Sequence, residues 1–364
     1  MSKLTYEYAG KNMEKSYRKR KGEYVGRLMR YKSGELVSLM IHIGDELGLY
    51  DAMAGQESVN ARDLAESTGL NERWLKEWLR GQGAAGIIEH IGDENFQLPD
   101  VANEALLDPD SPSYIAGFYC KPPSHEVVDK TIDGFRTGAG ISWGAHGDGA
   151  SHFLCRTNRP GQLQLTERII PMMDGMAERL TAGGVALDVG CGPGTALALL
   201  ARAYPNSQFV GIDPAENMIA EAKDRYADMR NVEFEIGYGE KIMDSDRYDF
   251  VTALDCMHDM TDPTGTMRAI SNAIKDDGVW LIKDVKAEDT YVENLENPAV
   301  TMLYGFSVLY CMSSALSEPG GAGLGTLGFS PAVCQKMGSD AGFNKFRILD
   351  FEDDPFNNYF ELRK

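Results

Sequence analysis

Two acids and three glycines carry the first chemical signal in this chain. The apolar run Val185–Val189 contains Asp188 and ends in Gly190, Gly192 and Gly194, at alternate positions. The next apolar run, Gln208–Ile212, ends at Asp213. Glycines at a strand end let the backbone turn sharply and let a ligand approach it closely. A dinucleotide fingerprint needs the spacing G-x-G-x-x-G, whereas here it is G-x-G-x-G, with Thr195 next. The Asp188 carboxylate, two residues ahead of the first glycine, disfavours a pyrophosphate and suits an ammonium. Asp213 lies about 20 residues past the glycine turn, where an acid accepts both hydroxyls of a ribose. The pair describes a nucleoside with an amino-acid tail.

A second group of residues points to the reaction itself. Tyr248–Asp255 runs straight into Cys256-Met257-His258-Asp259-Met260. The carboxyl end of a strand near a topological switch point is where open α/β sheets bind ligands. His258 is thus the best-placed imidazole in the chain. It reads either as a general base for a hydroxyl or amine acceptor, oriented by Asp259, or as a structural histidine hydrogen-bonded in a turn. Trp143 sits in the glycine-rich stretch 138–149, which reads as a cover or as a plain linker. Tyr304, Phe306 and Tyr310 lie in an aromatic segment within 287–331 and read as substrate wall or as core packing.

The elements that must position these residues follow from periodicity. Thr195 is followed by a run of strong helix formers to Tyr204, so Val185–Tyr204 is strand, tight turn, helix. Further strands are expected at 232–236, 248–255 and 279–285, with a turn at Lys275–Gly278. A closing antiparallel pair is expected at 345–349 and 358–362, after a helix that starts at Ser330-Pro331. Upstream, helices are expected at 126–135 and 162–180, the latter interrupted or kinked at Pro171. Leu36, Leu39, Met40, Ile43, Leu47 and Leu49 repeat at helical spacing. Asn60 and Asn71 are placed to cap helices at 61–67 and 72–85. Two short runs around Gly92–Asn95 read as a hairpin. Helix, turn, helix, hairpin is a winged-helix pattern. The expected fold is therefore α/β: a Rossmann-like seven-stranded domain behind a mostly helical winged-helix domain.

The signature acid-x-G-x-G-x-G, followed by an acid that ends the second strand, resembles that of class I S-adenosylmethionine-dependent methyltransferases. The resemblance runs from about Gly184 to the C-terminus. It implies S-adenosylmethionine as cofactor, held by Asp188, Gly190, Gly192, Gly194, Asp213 and Asp255. Pro214 and Met218 would pack on the adenine and the Gly239 amide would meet its ring. Relatives usually carry an acid that receives the adenine amino group where this chain has Tyr238, so the resemblance does not carry that acid's contact over. Trp143 would lie near the methionine end of the cofactor. Trp143, His258 and Asp259 are the implied catalytic residues; Trp143, His258, Tyr304, Phe306 and Tyr310 are the implied acceptor contacts. The domain order is similar to that of enzymes that S-methylate 4-methylthio-2-hydroxybutyrate on the way to dimethylsulfoniopropionate, which makes a thioether acid the expected acceptor. O- or N-methylation with His258 as base is the alternative, and a winged-helix regulator that senses S-adenosylmethionine is a reading of another class.

Composition bounds these readings. The chain has 364 residues, enough for two domains. Its formal net charge of -19 opposes general affinity for nucleic acid. No apolar run approaches the roughly 18 residues of a spanning helix, and the start lacks an apolar signal core. The six cysteines form no C-x-x-C pair, so free thiols, no zinc or other metal site and a cytoplasmic location are expected. The unit 58–98 carries more acids than bases, unlike a DNA reader. The expected division is 1–120 for the dimerising winged-helix domain, 121–183 for linker helices and cover loop, and 184–364 for the cofactor domain. A homodimer acting on a small molecule, with no nucleic-acid or membrane partner, completes the reading. The lead residues Lys11, Lys15 and Arg18–Lys21, beside Tyr6, Tyr8, Tyr17 and Tyr24, read as a solvated helix face or as an arm over the site.

Overall fold

The protein is described by a computed structural model covering residues 3–364, with side chains apart from those of 3–14, 148 and 150–152. Tyr6, Tyr8 and Lys11 lie outside the described side chains. The chain forms two compact units, one up to Asp108 with Tyr119–Pro122, the other Pro109–Phe118 with Pro123–Lys364.

In the first unit a helix, Lys3–Glu46, runs without a break from the polar lead into the apolar repeat and is followed by a short helix, Leu49–Met53. Helices Ala61–Thr68 and Glu72–Ala85 form where the caps were expected. Asn60 makes a capping box with Asp63, and the Asn71 side chain accepts from the amides of Arg73 and Trp74. The hairpin pairs β1 (Glu89–Gly92) with β2 (Asn95–Gln97). The two tryptophans of the second helix part company. Trp78 is buried, its ring edge-on to Tyr50 and its Nε1 donating to the Met40 carbonyl at 2.9 Å. Trp74 is 80% exposed.

The second unit is built on a seven-stranded sheet. Its strands are β3 (Val185–Val189), β4 (Gln208–Asp213), β5 (Val232–Ile236), β6 (Tyr248–Leu254), β7 (Ile274–Val285), β8 (Lys345–Ile348) and β9 (Asn357–Arg363). Their order is β5-β4-β3-β6-β7-β9-β8. The first five run parallel and β9 lies antiparallel to both β7 and β8. Parallel strands covered on both faces read as continuous apolar runs, and Leu187, Val189, Phe250, Val251, Leu281 and Ile282 are all buried. The order reverses between β3 and β6, the switch point where such sheets open a crevice.

Two local expectations are corrected, and the interruption expected at Pro171 is observed. The turn at Lys275–Gly278 lies inside β7, where partners step from Tyr248↔Ile274 to Phe250↔Val279, so these residues bulge out of a continuous strand. The glycine-rich stretch ends sooner than expected, because a helix spans Asp148–Gln164 with Pro160 inside it. The helix expected over 162–180 breaks at Pro171: a π-helical turn, Leu165–Ile169, passes into a 3-10 turn, Ile170–Met172, before helix Met176–Ala182. Leu165, Ile169, Ile170 and Met176 nonetheless pack into the core on one face of the sheet.

Candidate active site

A cavity of about 690 Å³ opens at the carboxyl ends of β3, β4 and β6. Asp188, Gly190, Gly192, Asp213, Pro214, Met218, Gly239 and Asp255 all line it, with Trp143 and Asp259. Gly194 does not line it. It caps helix Thr195–Ala203 with φ 77°, and a Cβ there would stand 2.5 Å from the Phe234 ring. Its role in the fold is the turn itself.

The acids are held by a small number of directed contacts. The Thr252 hydroxyl donates to Asp188 Oδ1 at 2.7 Å. Burial pushes the Asp188 carboxyl up to about 7, against the Thr252 hydrogen bond and reinforced by Asp213. Asp213 Oδ2 accepts the Gly192 amide at 2.9 Å and its Oδ1 the Ala215 amide at 2.8 Å. These bonds tie the glycine turn to the end of β4. Burial lifts Asp213 above the usual carboxylate range despite both amides. Asp255 closes β6 with φ 57°, a left-handed conformation uncommon outside glycine. Its Oδ2 accepts from buried Lys283 at 2.6 Å. Strain of this kind persists where the surroundings over-determine it.

His258 is placed differently from its expected role. It is 2% exposed and does not line the cavity. Its Nδ1 lies 2.5 Å from Asp284 Oδ1 and its Nε2 lies 3.2 Å from Asp259 Oδ1. Burial opposes a charge on the ring, but Asp284 and Asp259 outweigh it and hold the imidazole well above its ordinary range. A base must reach the acceptor, and both nitrogens face buried carboxylate oxygens rather than the cavity. The group of this pair that faces the cavity is Asp259, whose Oδ2 accepts from Trp143 Nε1 at 2.7 Å. β7 supplies Asp284, a contact that the spacing around His258 gave no sign of.

The aromatic residues separate into two sets. Trp143 stacks on Tyr310 at 5.8 Å, and Phe153, Phe306 and His146 pack around Tyr310. Tyr304 stands apart, its ring against Tyr291. His146 and Phe153 were not singled out from the sequence. The Trp143-x-x-His146 spacing on one short turn was the available sign.

The cavity's charge decides which cofactor it fits. Seven carboxylate side chains line it, and no lysine, arginine or histidine does among the described residues. A phosphate-bearing dinucleotide would meet no counter-charge. A ligand with an ammonium and a sulfonium finds carboxylates throughout, and the apolar patch at Ala215 and Met218 suits a flat ring. The residues present fit S-adenosylmethionine.

Residues 180–311 match the family model described as a methyltransferase domain, and residues 35–107 match that of an Rv2258c-like winged HTH domain. The chain carries a methyltransferase domain behind a winged-helix domain. Over 74 residues the chain is 38% identical to trans-aconitate 2-methyltransferase of Afipia carboxidovorans, covering 20% of this chain and 28% of that protein. Another 36% identity, over 93 residues, links 26% of this chain to 32% of a malonyl-[acyl-carrier protein] O-methyltransferase of Acetivibrio thermocellus. The chain thus spans about a third of the length of these curated relatives. Among solved structures, mitomycin 7-O-methyltransferase MmcR superposes with a TM-score of 0.66 at 20% identity, over 96% of this chain and 99% of that one. Human N-acetylserotonin methyltransferase in complex with SAM gives 0.65 at 17% identity, over 93% and 97%. PigF with SAH gives 0.67 at 16%, over 94% and 99%. At these identities the likeness is one of fold, here the class I methyltransferase fold.

Proposed function

We propose that the chain is an S-adenosylmethionine-dependent methyltransferase of a small molecule. The carboxylate-lined cavity at the switch point of a methyltransferase domain, with no lysine, arginine or histidine among its described lining residues, carries this reading. When bound, the cofactor supplies a methyl group activated on a sulfonium. The chain's own residues orient and enclose. Asp188 receives the ammonium, Asp213 the ribose, and Pro214, Met218 and the Gly239 amide the adenine. Such positioning can remove several kcal/mol of barrier, part of the roughly 7–11 kcal/mol available to well-oriented reactants. Calorimetric titration with S-adenosylhomocysteine tests it. One site per chain is expected, and Asp213→Ala should weaken binding by about 1.5–3 kcal/mol, the worth of a hydrogen bond to a charged group. If affinity is unchanged in a variant that still melts cooperatively, Asp213 is not at the ribose.

The acceptor atom we take to be a thioether sulfur, as in 4-methylthio-2-hydroxybutyrate. A thioether loses no proton on methylation, and His258 is buried outside the cavity, where it is not placed to take one. The Trp143 and Tyr310 rings suit a developing sulfonium, since an aromatic face attracts a cation. O- or N-methylation remains the second reading because Asp259, a carboxylate, lines the cavity. The sensing-regulator reading has less support. Arg73, Lys76 and Arg80, the cations of helix Glu72–Ala85, all pair with Glu77 or Glu94 rather than forming a basic face.

The first unit is assigned to dimerisation. Tyr24, Leu28, Tyr31, Leu36, Ile43 and Leu47 of the first helical segment each leave more than 45% of their surface exposed within the chain. Apolar side chains left uncovered along one helix suit an interface. Light scattering at micromolar concentration should give twice the 40.1 kDa chain mass. The mass of a single chain would refute the assignment. No described helix is long and apolar enough to cross a membrane.

A further inference from the structure

We propose that His258, Asp259 and Cys311 form a binding site for a divalent transition metal of the zinc class. The three offer an imidazole nitrogen, a carboxylate oxygen and a thiol sulfur, all within 4.8 Å of one another and all withdrawn from solvent. Imidazole, carboxylate and thiolate are the zinc donor set, and ligand spacings of this size close onto an ion with small side-chain movements. Three further observations support the site independently. Asp259 Oδ1 is buried and lies 3.2 Å from His258 Nε2 without a well-formed hydrogen bond, so two ligand atoms already converge on one point. His258 turns its other nitrogen, Nδ1, onto Asp284 Oδ1, and Asp284 is completely buried. A carboxylate behind a ligating histidine fixes its ring and raises its donor strength. Cys311 ends a π-helical turn, Ser307–Cys311, within an otherwise α-helical segment, and such turns concentrate at functional sites.

The sequence shows none of this. Cys311 lies 53 residues beyond His258, far outside any local zinc spacing, and joins the cluster only through the fold. Three protein donors leave a fourth position for an outside ligand. Asp259 both belongs to the cluster and lines the cavity, which puts that position beside the acceptor. The cavity has no side-chain cation for an acidic or hydroxylated acceptor among its described lining residues. A metal ion here would supply one, binding an acceptor oxygen. That role, unlike metal binding itself, rests on the methyltransferase reading.

The test uses the full chain, stripped with chelator and titrated with cobalt(II). One equivalent should bind, giving the intense visible bands of four-coordinate cobalt and a near-ultraviolet thiolate-to-cobalt charge-transfer band. Zinc should displace it. Cys311→Ser should lose the charge-transfer band, and Asp284→Asn should weaken binding by about 10–100-fold, the usual cost of removing a partner behind a ligand. Cooperative melting of the metal-free variants would show that they fold. A wild-type chain that binds no cobalt, or a charge-transfer band that survives in Cys311→Ser, overturns the proposal. Binding of S-adenosylhomocysteine is measured on the same samples. Its loss with cobalt bound would remove the methyltransferase reading and leave the metal site standing; the reverse outcome would remove the metal site alone.

Discussion

Affinity for S-adenosylhomocysteine is expected to fall about tenfold for each pH unit below about 7, reaching roughly a hundredfold at pH 5. The cause is Asp188, whose buried carboxyl titrates at about 7 in the free protein. Its ordinary value is 3.8, so between these two values the folded chain holds a proton that the unfolded chain has released. The sign for the free fold follows. The Asp188 contribution to stability is fully present below about pH 4, is lost as the pH rises to about 7, and is level above. A ligand ammonium reverses the preference, because it favours the ionised carboxylate. Below pH 7, binding must therefore expel a proton. Calorimetry in two buffers of different ionisation enthalpy would count it. Asp188→Asn should bind weakly, with its pH dependence reduced to whatever Asp213 contributes. A wild-type profile that is flat from pH 5 to 8 would separate Asp188 from the ammonium.

Gly194→Val should cost about 2–6 kcal/mol of stability, a large share of the roughly 5–15 kcal/mol that holds a domain together. Two terms combine. A branched residue at φ 77° pays about 1–3 kcal/mol of backbone strain. Its Cβ, 2.5 Å from the Phe234 ring and 3.2 Å from the Ala222 Cβ, adds a further 1–3 kcal/mol of overpacking. Phe234 is part of the core between helix and sheet, so the ring has little room to give way. The melting temperature should drop by roughly 4 °C or more. An unchanged melting temperature would mean that the turn is not held as described.

Much of the cofactor domain was legible because its signals are local. Apolar runs without alternation mark parallel strands buried on both faces, and the glycine turn and the acids stand within a few residues of strand ends. Asn60, Asn71 and Ser330 cap the helices that their side chains suggested. What escaped depends on distance in sequence. Pro160 and the glycines near 149 hid helix Asp148–Gln164, since a proline inside a helix is disfavoured unless tertiary packing overrides it. His258 was placed correctly at the end of β6 but not its burial, because Asp284 comes from the neighbouring strand. Cys311 carried no local sign at all. Tyr304 and Tyr310 look alike in a run of aromatic residues, and only the turn of the helix separates them, one against Tyr291 and the other against Trp143.

The π-helical turn at Ser307–Cys311 has an evolutionary corollary. Such a turn is one residue longer than the α-helical turn it replaces. Each residue of an α-helix advances about 100° around the axis. Loss of a single codon within 307–311 would restore an unbroken α-helix and swing everything beyond the lesion by that angle relative to Leu303. The thiol would leave His258 while strands, glycine turn and cofactor acids stayed as they are. One in-frame deletion or insertion is thus enough to remove or create the cluster on this fold, so its presence can change between otherwise similar chains in a single genetic step.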